Sequence, residues 1–386
     1  MTKWIVSVAR TRAELLTLSA EWTGLAESGG ANSLFSTLEW QQSWYDAMGD
    51  EVKPCVAIAR DGSGTLRALL PMALRPRGAG LRRTMVLELA GESIASGDHL
   101  GVVAAPGDRD AAWCALAPAI EQCAAAVDVV RFASMDEDGE RATAIRHVEK
   151  HGWRHTVQVT DVAPRLALSG NEAAFDASLR TRFRKRMNYY ARSFEVAYPA
   201  AEFLRQGDAV PLRTAMDALY ALHAARWPQG GVLDEPVMRR FIEAFSQLAD
   251  TRGWLRLHHI TIDGRVIAAL FAVHWHGTAS YFQSGWDPAF AKWNVAELLV
   301  LRAIREAARE GCHTFDFLRG GELYKMRFPV TSPVLCTDEW ARTLHGRRVA
   351  AVEDLLCAAL RSARIWRTRA KRLLAGTRTS ITKRES

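Results

Sequence analysis

The chain has 386 residues, of which 48% are hydrophobic and 24% charged, and carries 50 Lys and Arg against 43 Asp and Glu for a net charge of +7. This length exceeds one ordinary domain and suits two of about 150 to 180 residues. No apolar run is long enough to span a membrane and residues 1–10 hold too short an apolar core for a signal peptide, so a cytoplasmic globular protein is expected.

The six cysteines, Cys55, Cys114, Cys123, Cys312, Cys336 and Cys357, form no CxxC pair. That spacing fits neither a zinc ribbon nor a disulfide framework, and reduced core thiols are expected. Residues 12–27 predict a helix with Leu15, Leu16, Leu18, Trp22 and Leu25 on its apolar stripe. A second helix over 38–48, capped by Ser36 or Thr37, places Trp40 and Trp44 on one face, either as core packing or as an aromatic wall for a substrate cleft. Strands over 52–60 and 65–74 flank Asp61-Gly62-Ser63-Gly64, a hairpin signal. A strand over 82–89, a helix over 111–126, a strand over 128–132, a helix over 138–151 and a strand over 153–159 complete a mixed α/β unit. Its ionisable residues gather in no catalytic pattern.

Residues 161–170 mark the expected boundary. One helix is predicted over 171–195, with Phe183, Met187 and Tyr190 on an apolar stripe and Arg180, Arg182, Arg184, Lys185, Arg186 and Arg192 around it. This face is either a solvated surface or a site for phosphates and acidic polymers. Helices over 211–226 and 235–252 enclose a Pro and Gly loop after Trp227. Three strands follow, over 255–262, 266–276 and 278–284, joined at Asp263-Gly264 and His276-Gly277. A helix over 294–310 then leads to a strand over 313–318, so the order strand, helix, strand predicts a parallel crossover. Ligands collect where such strands splay. His274 and His276 share a strand face, but no third ligand of usable spacing accompanies them and no metal is expected. Residues 332–342 read as a last strand and 347–374 as a helix with a basic end.

Phe315-Asp316-Phe317-Leu318-Arg319-Gly320, closely followed by Tyr324-Lys325 and preceded by Gln283-Ser284-Gly285-Trp286-Asp287-Pro288, resembles the GNAT-type acyltransferases called CelD-like or BioF2-like. These are associated with cellulose and exopolysaccharide biosynthesis and are distant relatives of the Fem peptidyltransferases. The resemblance runs over residues 35–343 and is strongest over 226–328. It implies a mixed α/β (α+β) fold of tandem GNAT-like units, each a mixed twisted sheet flanked by helices, over 1–165 and 166–345, with a basic amphipathic tail over 346–386. It also implies an acyl-CoA donor, acetyl-CoA or longer, and an amino sugar or hydroxyl acceptor in envelope or exopolysaccharide synthesis.

On that resemblance Tyr324 is the general acid, and Asp316 or Asp287 the base or orienting group. Gln283, Gly285, Lys292, Asn294, Val295 and Arg319 would meet the donor. Trp40, Arg184, Trp227, Trp286, Gly320 and Lys325 would line the acceptor site, with Arg319 and Lys325 suited to an anionic acceptor or to donor phosphates. Structural roles stand beside these: Asp316 as a cap or partner of Arg319, Tyr324 as a bonded core residue, and Gly320-Gly321 as a tight turn. One departure matters. The family usually opens the helix near 294 with Ser-Pro-Gly, whereas this chain reads Lys292-Trp293-Asn294-Val295-Ala296-Glu297, so Asn294 and Glu297 predict a capping box whose carboxylate opposes a bound phosphate. Two further functions remain open. The basic clusters suit a Fem-like aminoacyl transferase using charged tRNA, and the altered loop suits a non-catalytic scaffold of a polysaccharide synthase. The basic tail suits peripheral contact with an anionic inner-membrane surface or with the synthase itself.

Overall fold

The computed structural model describes residues 4–355 apart from 32, 150–151, 206–209 and 354. The predicted basic end of the last helix, from 356 onward, lies outside the described residues. In the first half the chain runs β1 (Ile5–Ala9), α1 (Arg12–Thr17), α2 (Ser19–Leu25), α3 (Leu38–Met48), β2 (Lys53–Pro54), β3 (Val56–Arg60), β4 (Leu66–Leu70), β5 (Met72–Arg77), β6 (Thr84–Leu89), β7 (Val103–Ala104), α4 (Arg109–Ala124), β8 (Val129–Asp136), α5 (Arg141–Val148) and β9 (Arg154–Val162). It continues through β10 (Arg165–Ala167), α6 (Glu172–Ser178), α7 (Thr181–Ala197), β11 (Ala201–Arg205), α8 (Leu212–Arg226), α9 (Pro236–Thr251), β12 (Leu255–Ile262), β13 (Arg265–Trp275), β14 (Thr278–Trp286), α10 (Val295–Arg309), β15 (Thr314–Asp316) and β16 (Val334–Ala341).

The fold is mixed α/β, with twisted sheets flanked by helices. A four-stranded sheet has the order β1-β3-β4-β7, and two six-stranded sheets have the orders β2-β5-β6-β8-β16-β9 and β10-β15-β14-β13-β12-β11. The meander β12-β13-β14 forms as its turns dictate. Asp263 and Gly264 have φ of 49° and 78°, and His276 and Gly277 have 46° and 71°, the paired left-handed conformation that matches strand twist in a two-residue hairpin. α9 starts on Pro236 and buries Met238, Phe241, Ile242, Phe245 and Ala249 along one face, the stripe that its 3.6-residue period requires. β14 and β15 pair in parallel across α10, as the strand, helix, strand order predicts.

Several expectations change. The helix over 12–27 divides into α1 and α2, with a kink at Gly29 beyond them. The single helix over 171–195 is two helices, broken where Leu179 and Arg180 take extended ψ of 138° and 130°. The expectation of reduced cysteines fails at Cys55 and Cys123, which form a disulfide; Cys312 and Cys336 are buried free thiols and Cys114 is an exposed one. The unit expected to end at 345 does not hold its own last strand. β16 lies antiparallel between β8 and β9, in the sheet of the first half. It is fixed there by Asp338, fully buried and paired with Arg141 at 2.6 Å and His155 at 2.8 Å, and by Trp340 stacked on His155.

The two halves share a hydrophobic core. Trp40 of α3 packs edge-on against Phe241 and Phe245 of α9 and Phe282 of β14, with ring centroids 4.6 to 5.4 Å apart. A second core, confined to the second half, joins α6, α7 and α10 to the other face of the β12 to β15 sheet.

Candidate active site at the seam of the two units

β14 and β15 are paired only from Thr278 to Ser280 and Thr314 to Asp316. Beyond that point they separate, and Tyr281–Ser284 and Phe317–Arg319 become opposite walls of a cleft of about 620 Å³. The last turn of α8 and the following loop close a third side with His223, Arg226, Trp227 and Gly231, while Ser96 and Asp98 reach in from the first half. The cleft therefore sits where a splayed parallel pair leaves backbone and side chains open to a ligand. Both halves build it.

The segment carrying Ser96 and Asp98 is held from below by α3. Trp40 Nε1 donates to the Gly91 carbonyl at 3.1 Å, Gln41 Nε2 to the Ala90 carbonyl at 2.8 Å and Trp44 Nε1 to the Ser93 carbonyl at 2.7 Å. Trp40 is fully buried, which removes it as a cleft wall and makes it a brace. Trp40→Ala should therefore lower the unfolding free energy by about 3–5 kcal/mol, the cost of truncating a buried aromatic, as read by urea denaturation. A negligible loss would restore it as an exposed wall.

Above this brace lies a buried ionic latch. Arg319 donates from its backbone N–H and its Nε to the two Asp98 oxygens at 2.9 and 2.7 Å, and from Nη2 to Ser134 Oγ at 2.7 Å and the Gly97 carbonyl at 3.1 Å. Beside it, His99 Nδ1 lies 2.5 Å from Asp136 and Nε2 lies 3.2 Å from Asp316, with Arg165 bridging both carboxylates. Burial alone would lower the His99 imidazole, but its bonds to Asp136 and Asp316 outweigh burial and raise it to about 9. His99, Ser134 and Leu318 all hold φ of 55° to 57°, the left-handed region that side chains enter at a cost. The latch thus fixes strained backbone from both halves.

Arg319 and Asp316, expected to meet donor and acceptor, are consumed by this latch. Lys325 is also committed: it is buried, its Nζ donates to the carbonyls of Arg319 at 2.8 Å and Leu318 at 3.2 Å, and it pairs with Glu322 at 2.9 Å. All three charges hold the Leu318 turn in shape. Gly320, with φ of 114°, is a turn residue in which a Cβ would strike the Glu322 carboxylate.

What remains open to a ligand is a small set of polar groups. Tyr324 lines the cleft, and burial first, then the neighbouring Tyr281 hydroxyl that it hydrogen-bonds, pushes its phenol well above the ordinary value. Tyr281 is raised chiefly by burial and shares a 2.5 Å bond with Ser284. Gln283 and Trp227 also line the cleft. Trp286 is half-buried against the Arg226 guanidinium, 5.9 Å from its ring centroid. Sequence reasoning missed His223, Arg226, Tyr281 and Ser284. A signal for His223 exists: it continues the buried stripe Met216, Leu219, Tyr220 of α8, where a titratable residue is out of place.

The remaining residues expected at the site, whether as base, for the donor or for the acceptor, lie outside the cleft. Asp287 caps the turn Pro288–Trp293 by accepting from the Ala289 N–H at 2.9 Å and pairs with Arg265. Lys292 Nζ sits 3.9 Å above the Trp293 ring, and Val295 is fully buried. Gly285 lies under α8, where a Cβ would strike the His223 backbone N at 2.6 Å, so its role is to let α8 seat on β14. Arg184 donates to the Asp176 carbonyl at 3.1 Å. The expected capping box does not form. Asn294 takes the left-handed conformation without a side-chain cap, its amide donates instead to Glu297, and Glu297 is buried against Arg327. An ion pair therefore occupies the amino end of α10. Among the described residues no three His, Cys, Asp or Glu side chains converge on a metal position, and no helix is long and apolar enough to cross a membrane.

Residues 177–326 match the acetyltransferase (GNAT) domain family. The crystal structure of FemX superimposes with a TM-score of 0.62 at 10% identity, covering 83% of this chain and 95% of that one. L-PGS from Bacillus licheniformis gives 0.53 at 12% identity over 87% and 95%, and a tandem GNAT protein from the clavulanic acid biosynthesis pathway gives 0.50 at 10% over 88% and 99%. At these identities the likeness is one of fold. No curated protein matches the sequence. The chain thus carries a GNAT-type domain within a GNAT acyltransferase fold, and that fold extends over both halves.

Proposed function

We propose that the chain transfers an acyl group to an amine or hydroxyl in the cleft between its halves. The observation that carries this reading is the placement of Tyr324, with its phenol held protonated, at the mouth of the splayed β14 and β15. In acyl transfer the acceptor attacks the acyl carbon, the bond to the leaving group breaks, and that group must take up a proton. Tyr324 supplies it, steadied by Tyr281 and Ser284. The donor on this reading is an acyl-CoA, supported by the GNAT domain match over 177–326, and the acceptor is an amino sugar or hydroxyl of an envelope or exopolysaccharide precursor.

A second reading takes the donor as an aminoacyl ester on tRNA. The observation favouring it is the Glu297 and Arg327 pair at the amino end of α10, where a pyrophosphate would otherwise find free amides. The exposed Arg182, Lys185 and Arg186 of α7 offer a surface for a polyanion. The deciding experiment offers the purified protein acetyl-CoA, a longer acyl-CoA and aminoacyl-tRNA with a panel of amino sugars. Release of free thiol supports the first reading and salt-sensitive loss of label from tRNA the second. Turnover with none of them would overturn both and favour a scaffold.

A further inference from the structure

Charge bookkeeping in the cleft leaves one cation over. Of the charged side chains lining it, Asp98 is bonded to Arg319 and Glu322 to Lys325. Arg226 has no carboxylate partner among the described residues; its guanidinium rests against the rings of Trp227 and Trp286, 5.4 and 5.9 Å from their centroids. One helical turn earlier, at i−3 and so on the same side of α8, His223 is buried at 3% exposure. Its Nδ1 is sealed beside Gly231 without a hydrogen-bond partner, where a Cβ on that glycine would lie 2.7 Å away. Nε2 is the nitrogen left to serve the cleft.

From this juxtaposition, and resting on the acyl-transfer reading, we infer that the last turn of α8 is the acceptor subsite and that the acceptor is an amine bearing an acidic group, a phosphate or a carboxylate. Arg226 binds the acid. His223 Nε2 takes the N–H proton as the amine nitrogen bonds to the acyl carbon, while the leaving group departs with a proton from Tyr324. Burial holds the His223 imidazole below its ordinary value, with Asp234 opposing and Arg226 reinforcing, so the ring is neutral at neutral pH and its Nδ1–H tautomer offers the Nε2 lone pair. The acid belongs to the acceptor because Arg226 shares the cleft with groups from both halves, whereas Lys292 and the amino end of α10, where donor phosphates would be sought, lie outside it.

The test separates binding from transfer. Glucosamine, glucosamine 6-phosphate and 2-amino-2-deoxyglucuronate are titrated calorimetrically into the protein, into Arg226→Gln and into His223→Gln, with no donor present. The expected result is that one acidic sugar binds the parent more tightly than glucosamine by about 10- to 100-fold, the range for one charge-assisted hydrogen-bonded contact. Arg226→Gln should erase that preference and His223→Gln should keep it. Which acid is preferred distinguishes phosphate from carboxylate. Equal binding of all three sugars, no binding of either acid, or a preference that survives in Arg226→Gln would overturn the inference. Because no donor is used, failure of the acyl-transfer assay leaves these measurements standing, and loss of the anion preference leaves the transfer reading standing. In the transfer assay His223→Gln should lower kcat with the acidic acceptor still bound, and an unchanged kcat would remove His223 as the base.

Discussion

Tyr324→Phe should lower kcat for acyl transfer by about 10²- to 10⁴-fold, the usual contribution of a positioned proton donor, and leave KM for the acceptor nearly unchanged. The substitution removes only the hydroxyl. The ring keeps its place against Phe317, 6.5 Å away edge-on, so folding should not suffer. Because burial and the Tyr281 hydroxyl hold the phenol protonated, the parent enzyme should show no alkaline loss of rate near the free-phenol value of 10.0. Steady-state kinetics between neutral and alkaline pH check both points. A variant as fast as the parent would remove Tyr324 from the chemistry and leave it as a bonded core residue.

Arg319→Ala should cost about 3–5 kcal/mol of stability in urea denaturation, as much as truncating the buried Trp40. The arginine is not itself valuable as a surface charge would be. It is the partner of Asp98, which is fully exposed to nothing but protein, and its removal strands that carboxylate without compensation. The adjacent His99 adds a pH signature. Its folded value of about 9 lies above the ordinary 6.5, so the stability it contributes is complete below 6.5 and is lost as pH rises through 9. The facing groups that set this window are Asp136, Asp316 and Arg165. The difference in stability between the parent and His99→Gln should shrink over that range, and a constant difference would place the charge elsewhere.

Much of the second half was legible in the sequence because its signals are local. The turns at Asp263-Gly264 and His276-Gly277, the amphipathic period of α9 and α10, and the strand, helix, strand order depend on neighbours a few residues apart. Tyr324, Gln283 and Trp227, which line the cleft, were singled out through the family resemblance and not by a local signal. The rest depends on partners distant in sequence. Arg319 read as a ligand cation or as the partner of nearby Asp316, yet its partner Asp98 lies in the other half of the chain. Trp40 read equally well as core or wall until α9 was set against it. His223 and Arg226 looked like the ordinary end of a helix. Only the packing of α8 onto β14, which Gly285 permits, turns them into neighbours of Tyr281 and Tyr324.

The position of β16 bears on how the protein is made. A ribosome delivers the first half long before residues 334–341 exist, so β8 and β9 must wait, with unpaired edges, while the whole second half is synthesised and folds. The early half cannot complete its sheet alone, and its closing contacts span nearly two hundred residues, such as Asp338 with Arg141 at a separation of 197. Contacts that distant form slowly. β16 therefore acts as a checkpoint: only a chain translated past residue 341 can seal the sheet from which Asp136 and Ser134 enter the latch, and one that stops short of it is left with an open edge for chaperones and proteases to find.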